Sequence, residues 1–126
     1  MKEVMAVIRM NMINQTKTAL IDAGISCMTA RVALGRGKGL VDMTVLKGAE
    51  KGYEEALALL GNTQRLIPKR VINIVVPDNM VEKTVDTIIS TNHTGKSGDG
   101  VVWVIPVLEA VRVRTGESGN SVLDGM

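Results

Sequence analysis

The sequence predicts an α+β fold, a four-stranded sheet with two helices on one face, and three observations lead there. Two stretches of strand–helix–strand character follow one another, at 3–34 and 70–107. Both helices open on similar words, Asn11-Met12-Ile13-Asn14-Gln15-Thr16 and Asn79-Met80-Val81-Glu82-Lys83-Thr84, each straight after a strand. The length of 126 residues, with 45% hydrophobic content, suits one core, since single domains commonly run to about 100–150 residues. Two βαβ units in one domain make a ferredoxin-like βαββαβ sandwich. Two helices cover only one face of such a sheet, so the Val- and Ile-rich other face calls for oligomerisation.

The elements follow in chain order. Glu3–Met10 reads as the first strand. A helix follows with Asn14 as N-cap, Gly24 as the C′ residue, and Ile13, Thr16, Leu20 and Ala23 on one stripe. Cys27–Leu34 supplies the second strand and Arg70–Val76 the third, closed by Pro77-Asp78. The second helix is expected near Asn79, with Glu82 at capping-box spacing and Val81, Val85, Ile88 and Ile89 inward. Val101–Val107 gives a fourth strand and Ala110–Arg114 a short final one, before a polar tail from 115 that is expected to fray.

Between the halves, 35–68 is long for a connection in a small domain, and such connections are usually functional. Residues 50–60 could form a helix, while Gly35, Gly37, Gly39, Gly48, Gly52 and Gly61 keep the surrounding backbone permissive. This is the pattern of an arm that folds differently when bound.

Composition narrows the function. There is no Phe, one Trp and one Tyr, so aliphatic residues and eight Met must fill the core, and few rings are available for base stacking. A net charge of +2 is too balanced for a nucleic-acid coat. No run of about 18 apolar residues suggests membrane insertion. The single Cys27 excludes an internal disulfide, suits a reducing cytoplasm, and reads as a buried structural thiol.

Three segments could bind an anion. Gly95-Lys96-Ser97 is not a Walker loop, because Ser90 stands where that pattern needs glycine and the order is helix, loop, strand. The glycines of Thr94–Gly100 can still gather backbone N–H groups into a nest, although an ordinary turn fits the same spacing. Gly35-Arg36-Gly37-Lys38-Gly39 suits a phosphate or carboxylate, or a solvated loop base. Arg112 and Arg114, two apart on the expected strand, would share a face. His93 has no acid or thiol partner in sequence, and no triad or metal-ligand spacing occurs, so the chain reads as a binding protein with no catalytic or metal site.

The residues resemble the PII nitrogen-regulatory signal-transduction family along nearly the whole chain. Matching blocks include Gly48-Ala49-Glu50, Pro68-Lys69, Val75-Val76-Pro77-Asp78, Thr94-Gly95-Lys96, Gly98-Asp99-Gly100 and Val111–Glu117. The resemblance implies one PII-like domain over 1–126, with a T-loop at about 35–68, a B-loop at about 94–100 and a tail at 115–126. It implies a trimer with ATP or ADP in each cleft between neighbours. Thr29, Arg36, Gly37, Gly98, Asp99, Gly100, Arg112 and Arg114 resemble the family's nucleotide-binding positions. Gly37, Lys38, Gly39 and Lys69 resemble its 2-oxoglutarate positions, with Mg2+ as a further ligand. Three departures stand out: Gly37 replaces the usual glutamine, Val101 the phosphate-binding lysine, and Lys51 the tyrosine that many members modify. Tyr53 is out of place, so no uridylylation is expected at the usual site.

The long arm and Arg36-Gly37-Lys38-Gly39 resemble the nitrogenase-associated branch, whose members occur as paralogous pairs and inhibit dinitrogenase directly. The expected role is therefore a cytoplasmic nitrogen-status regulator, not an enzyme, acting on dinitrogenase through its T-loop. Control of an ammonium channel or a nitrogen-assimilation enzyme is the alternative.

Overall fold

The computed structural model of the chain describes residues 1–36 and 66–123. It contains β1 (Lys2–Arg9), α1 (Ile13–Asp22), β2 (Thr29–Gly35), β3 (Ile67–Val76), α2 (Val81–Asn92) and β4 (Val101–Pro106). The strands form one sheet in the order β2-β3-β1-β4, with every neighbouring pair antiparallel. This is the ferredoxin-like arrangement expected from the sequence.

Side-chain alternation decides which face is covered. On β1, Val4, Ala6 and Ile8 are buried, and the register Val4↔Ile74 and Ala6↔Ile72 sets them beside the buried positions of β3. Leu20 of α1 and Ile88 of α2 close over them, together with Ile25. Fully burying each such side chain is worth about 1.5–3 kcal/mol, so this one layer supplies the driving force for the fold. The opposite face carries Met5, Val7, Val101, Trp103 and Ile105 by the same register. Val101, Trp103 and Ile105 are 54%, 39% and 40% exposed there, leaving an apolar strip uncovered within one chain.

The two similar words do superpose in role. Each strand runs into a 3₁₀ turn, Met10–Met12 or Asp78–Met80, which continues directly into the helix. Thr16 Oγ1 donates to the Met12 carbonyl oxygen and Thr84 Oγ1 to that of Met80, both at 2.7 Å. Both threonines are fully buried. The caps expected at Asn14 and Asn79 do not form. Met12 and Met80 occupy the N-cap positions, and neither helix start has a side-chain cap bond. A turn flowing into a helix already places its own carbonyls under the first amides, which leaves no place for a capping side chain.

Gly24 fulfils its expectation. With φ at 88°, it lets the Ile25 amide reach the Leu20 carbonyl at 2.8 Å and its own amide that of Ile21 at 2.9 Å, a Schellman end to α1.

Other boundaries move. β2 starts at Thr29, so Cys27 belongs to the connector, and it is exposed rather than buried. Ala23, Ile25 and Met28 of that connector pack on the core instead. Ile89 is half exposed, because Val85 and Ile88 already fill the contact between α2 and the sheet.

The strand expected at 110–114 is reduced to a single bridge, Val111↔Ser118. The chain turns back instead. The Arg112 amide donates to the Glu117 carbonyl at 2.8 Å, the Gly116 amide donates to the Arg112 carbonyl at 2.8 Å, and Glu109 Oε1 accepts from the Gly119 amide at 3.0 Å. These bonds also order the segment from 115 to 123 that was expected to fray. The expected helix at 50–60, and Gly37, Lys38, Gly39, Lys51 and Tyr53, lie outside the described residues. Among the described residues, no helix is long and apolar enough to cross a membrane.

Candidate functional site

The glycine-rich loop between α2 and β4 is built around one carboxylate. Asp99 Oδ2 accepts from the amides of Thr94 at 2.8 Å and Gly95 at 3.0 Å. Asp99 Oδ1 accepts from the Thr94 hydroxyl and from Arg9 Nη1, the latter at 2.7 Å. Arg9 Nη2 donates to the Ser97 carbonyl at 3.0 Å, so the guanidinium grips the loop at two points. The Thr94 hydroxyl is the largest influence on the Asp99 carboxyl. With the Thr94 amide, Arg9 and the Gly95 amide it holds that carboxyl well below the usual carboxylate range, against a desolvation that pushes the other way.

Gly95, Gly98 and Gly100 all have positive φ, and at the last two an added Cβ would also meet other atoms. Gly98 has φ at 95°, and a Cβ there would lie 3.4 Å from Arg9 Nη2. Gly100 has φ at 114°, and a Cβ there would press into the backbone of Val7 and Ile8. The loop thus closes against the end of β1, with the order helix, loop, strand that excludes a Walker site. Among the described residues, the amides of Ser97 and Gly98 donate to no protein atom. Their N–H groups remain available to an anion, as a nest requires.

Register places a second cation beside this loop. Lys69 is the Cα partner of Arg9, and Ala33 is the partner of Lys69. Ala33, Lys69 and Arg9 therefore run in one row across the uncovered face, and Asp99 meets Arg9 at the end of it. The stem of Lys69 leans on Gly35, its Cγ 3.8 Å from where a Gly35 Cβ would stand. Arg36 follows immediately and is exposed.

Thr29 lies elsewhere. It shares the face but pairs with Asn73, four residues along β3 from Lys69. At about 3.3 Å per residue along a strand and about 4.8 Å between strands, it lies roughly 13 Å from that row and further from Asp99. One chain does not bring Thr29 to its own loop. Arg112 and Arg114 are also separate. The sequence expected them on a strand, facing the same way, but both lie in the returning arm. Arg112 Nη1 sits 3.6 Å from Glu117 Oε2, and its Nη2 donates to the Ser121 carbonyl at 3.5 Å.

His93 ends α2 as its C-cap residue, exposed, with Nδ1 3.9 Å from Asp99 Oδ2. A cleft of about 370 Å³ opens beside it on the helix side, lined mainly by Val85, Ile88, Ile89, Val101 and Val102. It shares Asp99 and Gly100 with the loop but contains none of the cations. Among the described residues, no group of three His, Cys, Asp or Glu side chains could hold a metal ion.

Sequence reasoning missed Arg9 and Thr94. Arg9 looked like the end of a strand. The antiparallel pairing of the first and third strands, carried one step further, would have set it beside Lys69.

The family model "Nitrogen regulatory protein P-II" matches residues 1–117, a stretch that spans the whole sheet, both helices and the braced loop. The chain belongs to the P-II nitrogen regulatory family. Its relatives include a "Nitrogen fixation nifHD region GlnB-like protein 2" of Methanobacterium ivanovii, 42% identical over 125 residues, covering 98% of this chain and 99% of that protein. The corresponding protein of Methanothermobacter marburgensis is 39% identical over 125 residues, covering 98% and 100%. These names match the nitrogenase-associated branch. The "Nitrogen regulatory protein P-II 1" of Escherichia coli K12 is 35% identical over 123 residues, covering 98% and 100%. Among solved structures, Arabidopsis thaliana PII bound to citrate matches with a TM-score of 0.72 and 29% identity, covering 97% of this chain and 88% of that one. P-II proteins are regulators, and this chain is accordingly a regulator of nitrogen metabolism.

Proposed function

We propose that this P-II protein senses nitrogen status by binding ATP or ADP and 2-oxoglutarate, and that it controls nitrogenase by binding dinitrogenase through the 35–68 segment. It carries out no chemistry of its own. The observation that carries the reading is the braced loop at 94–100. Arg9 and Asp99 fix its shape, two glycines at positive φ let it close on β1, and the Ser97 and Gly98 amides are left for phosphate oxygens.

The geometry also supports a shared site. Thr29 is too far from its own loop to meet the same nucleotide there, while the strip of Val101, Trp103 and Ile105 calls for a neighbouring copy. A homotrimer, or pairing with a paralogous subunit, would bring Thr29, Arg112 and Arg114 of one chain to Gly98, Asp99 and Gly100 of the next. Asp99 contributes by holding the loop, because its carboxylate oxygens are taken up by Thr94, Gly95 and Arg9. Lys69 is the cation for 2-oxoglutarate. The plant PII structure holds citrate, another carboxylate, in keeping with that assignment. Gly37, Lys38 and Gly39 complete the proposed site, with Mg2+ between the ligands. The work of this cytoplasmic protein is to shift the arm between states, which a ligand does only through different affinity for each.

Calorimetry with ATP, alone and with 2-oxoglutarate, tests the sensing role, and no heat from either ligand refutes it. Control of an ammonium channel or a nitrogen-assimilation enzyme is the second reading, in keeping with the likeness to an E. coli protein named as a nitrogen regulator without reference to nitrogen fixation. Affinity capture from nitrogen-fixing cells separates the two. Dinitrogenase as the dominant captured protein supports the first reading, and a channel or assimilation enzyme in its place supports the second.

A further inference from the structure

The helices do not cover the whole of their own face of the sheet. Register puts Val32 opposite Arg70 and Arg70 opposite Ile8, while Leu34 stands opposite Pro68 in the next row of that face. Ile8 is in the core beneath the helices, so all of these side chains lie on the helix side. Yet Val32, Leu34 and Leu66 are 54%, 60% and 56% exposed, and Ala30 and Pro68 are exposed as well. Single apolar residues on a surface need no account, but a contiguous group around a charge does. Arg70 is that charge. Its Nε is buried with no hydrogen-bond partner, and among the described residues its guanidinium makes no hydrogen bond or ion pair. A buried donor left unpaired is costly, and a guanidinium among apolar side chains is set up to take a carboxylate through two parallel bonds.

We propose that this patch is a docking surface for the protein that the chain regulates, which presents to Arg70 a carboxylate framed by apolar side chains. The proposal rests on the reading that dinitrogenase is engaged through 35–68. Three observations favour that occupant over a second copy. The strip of Val101, Trp103 and Ile105 that calls for a second copy lies on the opposite face. A two-fold contact through the patch would set Arg70 against Arg70. Both ends of the 35–68 segment, at Leu34-Gly35-Arg36 and Leu66-Ile67-Pro68, border the patch, so a protein held by that segment comes up beside it. An arginine ringed by apolar contacts is also the usual form of an interface hot spot.

Binding to immobilised dinitrogenase tests this, with ATP affinity, assembly size and melting temperature measured on the same full-length proteins. Arg70→Met keeps the stem and removes the charge, and should weaken binding about 30-fold. Leu34→Ser should weaken it about tenfold. Arg70→Lys should fall between Arg70→Met and wild type, because an ammonium keeps the charge without the paired bonds. Lys17→Met, which removes a cation from the exposed side of α1, should stay within about twofold of wild type. ATP affinity should also stay within about twofold and the melting temperature should not fall, since Arg70 has no bond of its own to lose. Carbodiimide treatment of the Arg70→Lys complex should join the introduced amine to an Asp or Glu of dinitrogenase, and no such cross-link overturns the carboxylate.

Wild-type affinity in both Arg70→Met and Leu34→Ser overturns the docking surface and leaves the regulatory role in place. Weaker binding together with a lower melting temperature or a changed assembly means that the protein itself covers the patch, which overturns it as well. If Arg70→Met fails to fold, Leu34→Ser decides. A wild type that does not bind dinitrogenase removes the target reading and this surface with it.

Discussion

Two glycines of one loop, Gly98 and Gly100, should respond very differently to the same substitution. Both have positive φ, which costs a residue with a Cβ about 1–2 kcal/mol. At Gly98 the added methyl meets only the far end of Arg9, with Nη2 at 3.4 Å, and a guanidinium can swing aside. Gly98→Ala should therefore cost little more than the backbone strain, about 1–2 kcal/mol. At Gly100 the methyl meets backbone. The Val7 carbonyl carbon stands at 3.1 Å and the Ile8 Cα at 3.3 Å, with the Val7 oxygen closer still.

None of those atoms can rotate away, so the end of β4 must separate from β1. Overpacking of that kind costs about 1–3 kcal/mol, and a frayed Val7↔Val101 pair forfeits about 1 kcal/mol for each ladder bond lost. The sum for Gly100→Ala is about 4 kcal/mol. With a urea dependence of about 2 kcal/mol per molar, its midpoint should drop by about 2 M, against less than about 1 M for Gly98→Ala. All proteins should be compared at one concentration, because assembly adds to apparent stability. Midpoints for the two variants within about 0.3 M of each other would refute the packing argument.

Asp99→Asn tests the carboxylate at the loop's centre. Because its folded value is depressed, the stabilisation is present above the ordinary value of 3.8 and is lost as pH falls through the folded one. The gap in urea midpoint between wild type and variant should thus be widest above about pH 5 and should narrow on acidification toward about pH 2. A pH-independent gap contradicts this. Thr16→Val removes the oxygen that accepts from Asn92 Nδ2 at 3.0 Å, leaving that buried amide only the Ile88 carbonyl. Thermal melts should show a loss of about 1–2 kcal/mol, largely restored in Thr16→Ser. Trp103→Glu places a charge in the uncovered strip. Sedimentation should show single chains with helix content retained, since Trp103 is 39% exposed and contributes little to the chain's own core.

How far the fold could be read follows from which residues had a choice. Alternation on the first and third strands allowed one register, because a slip of one residue would turn Val4, Ala6 and Ile8 toward solvent. The repeated words at 11–16 and 79–84 marked the helix starts because each pairs a turn methionine with a buried threonine four residues on. The capping role given to the asparagines was wrong for the same reason: the 3₁₀ turn had already taken the place of a cap. Apolar content misled at Cys27 and at Ala110–Arg114. Cys27 points away from a core that its neighbours Ile25 and Met28 reach, and no residue of 110–114 belongs to the core, so hydrophobicity alone does not say which residue reaches it. For 111–113 the turn is decided by hydrogen bonds accepted by the Glu109 carboxylate and by the Glu117 backbone carbonyl, which the strand pattern ignored.

The site was legible as chemistry and less so as architecture. The glycines and cations at 35–39 and 94–100 pointed to an anion, although an ordinary turn or a solvated loop base fits the same spacing. The sequence did not reveal what holds those amides in place. That work falls to a carboxylate first read as a ligand contact and to an arginine first read as strand. The distinction has consequences for Asp99. Nucleotide phosphates are anions, and a free carboxylate in their cradle would repel them. Spent on Thr94, Gly95 and Arg9, the same charge shapes the loop while its field is cancelled at close range. If the loop takes phosphate, as proposed, an acidic residue there is intelligible only with its cation beside it, and Arg9, 90 positions away in sequence, is the residue that would make Asp99 compatible with such a ligand.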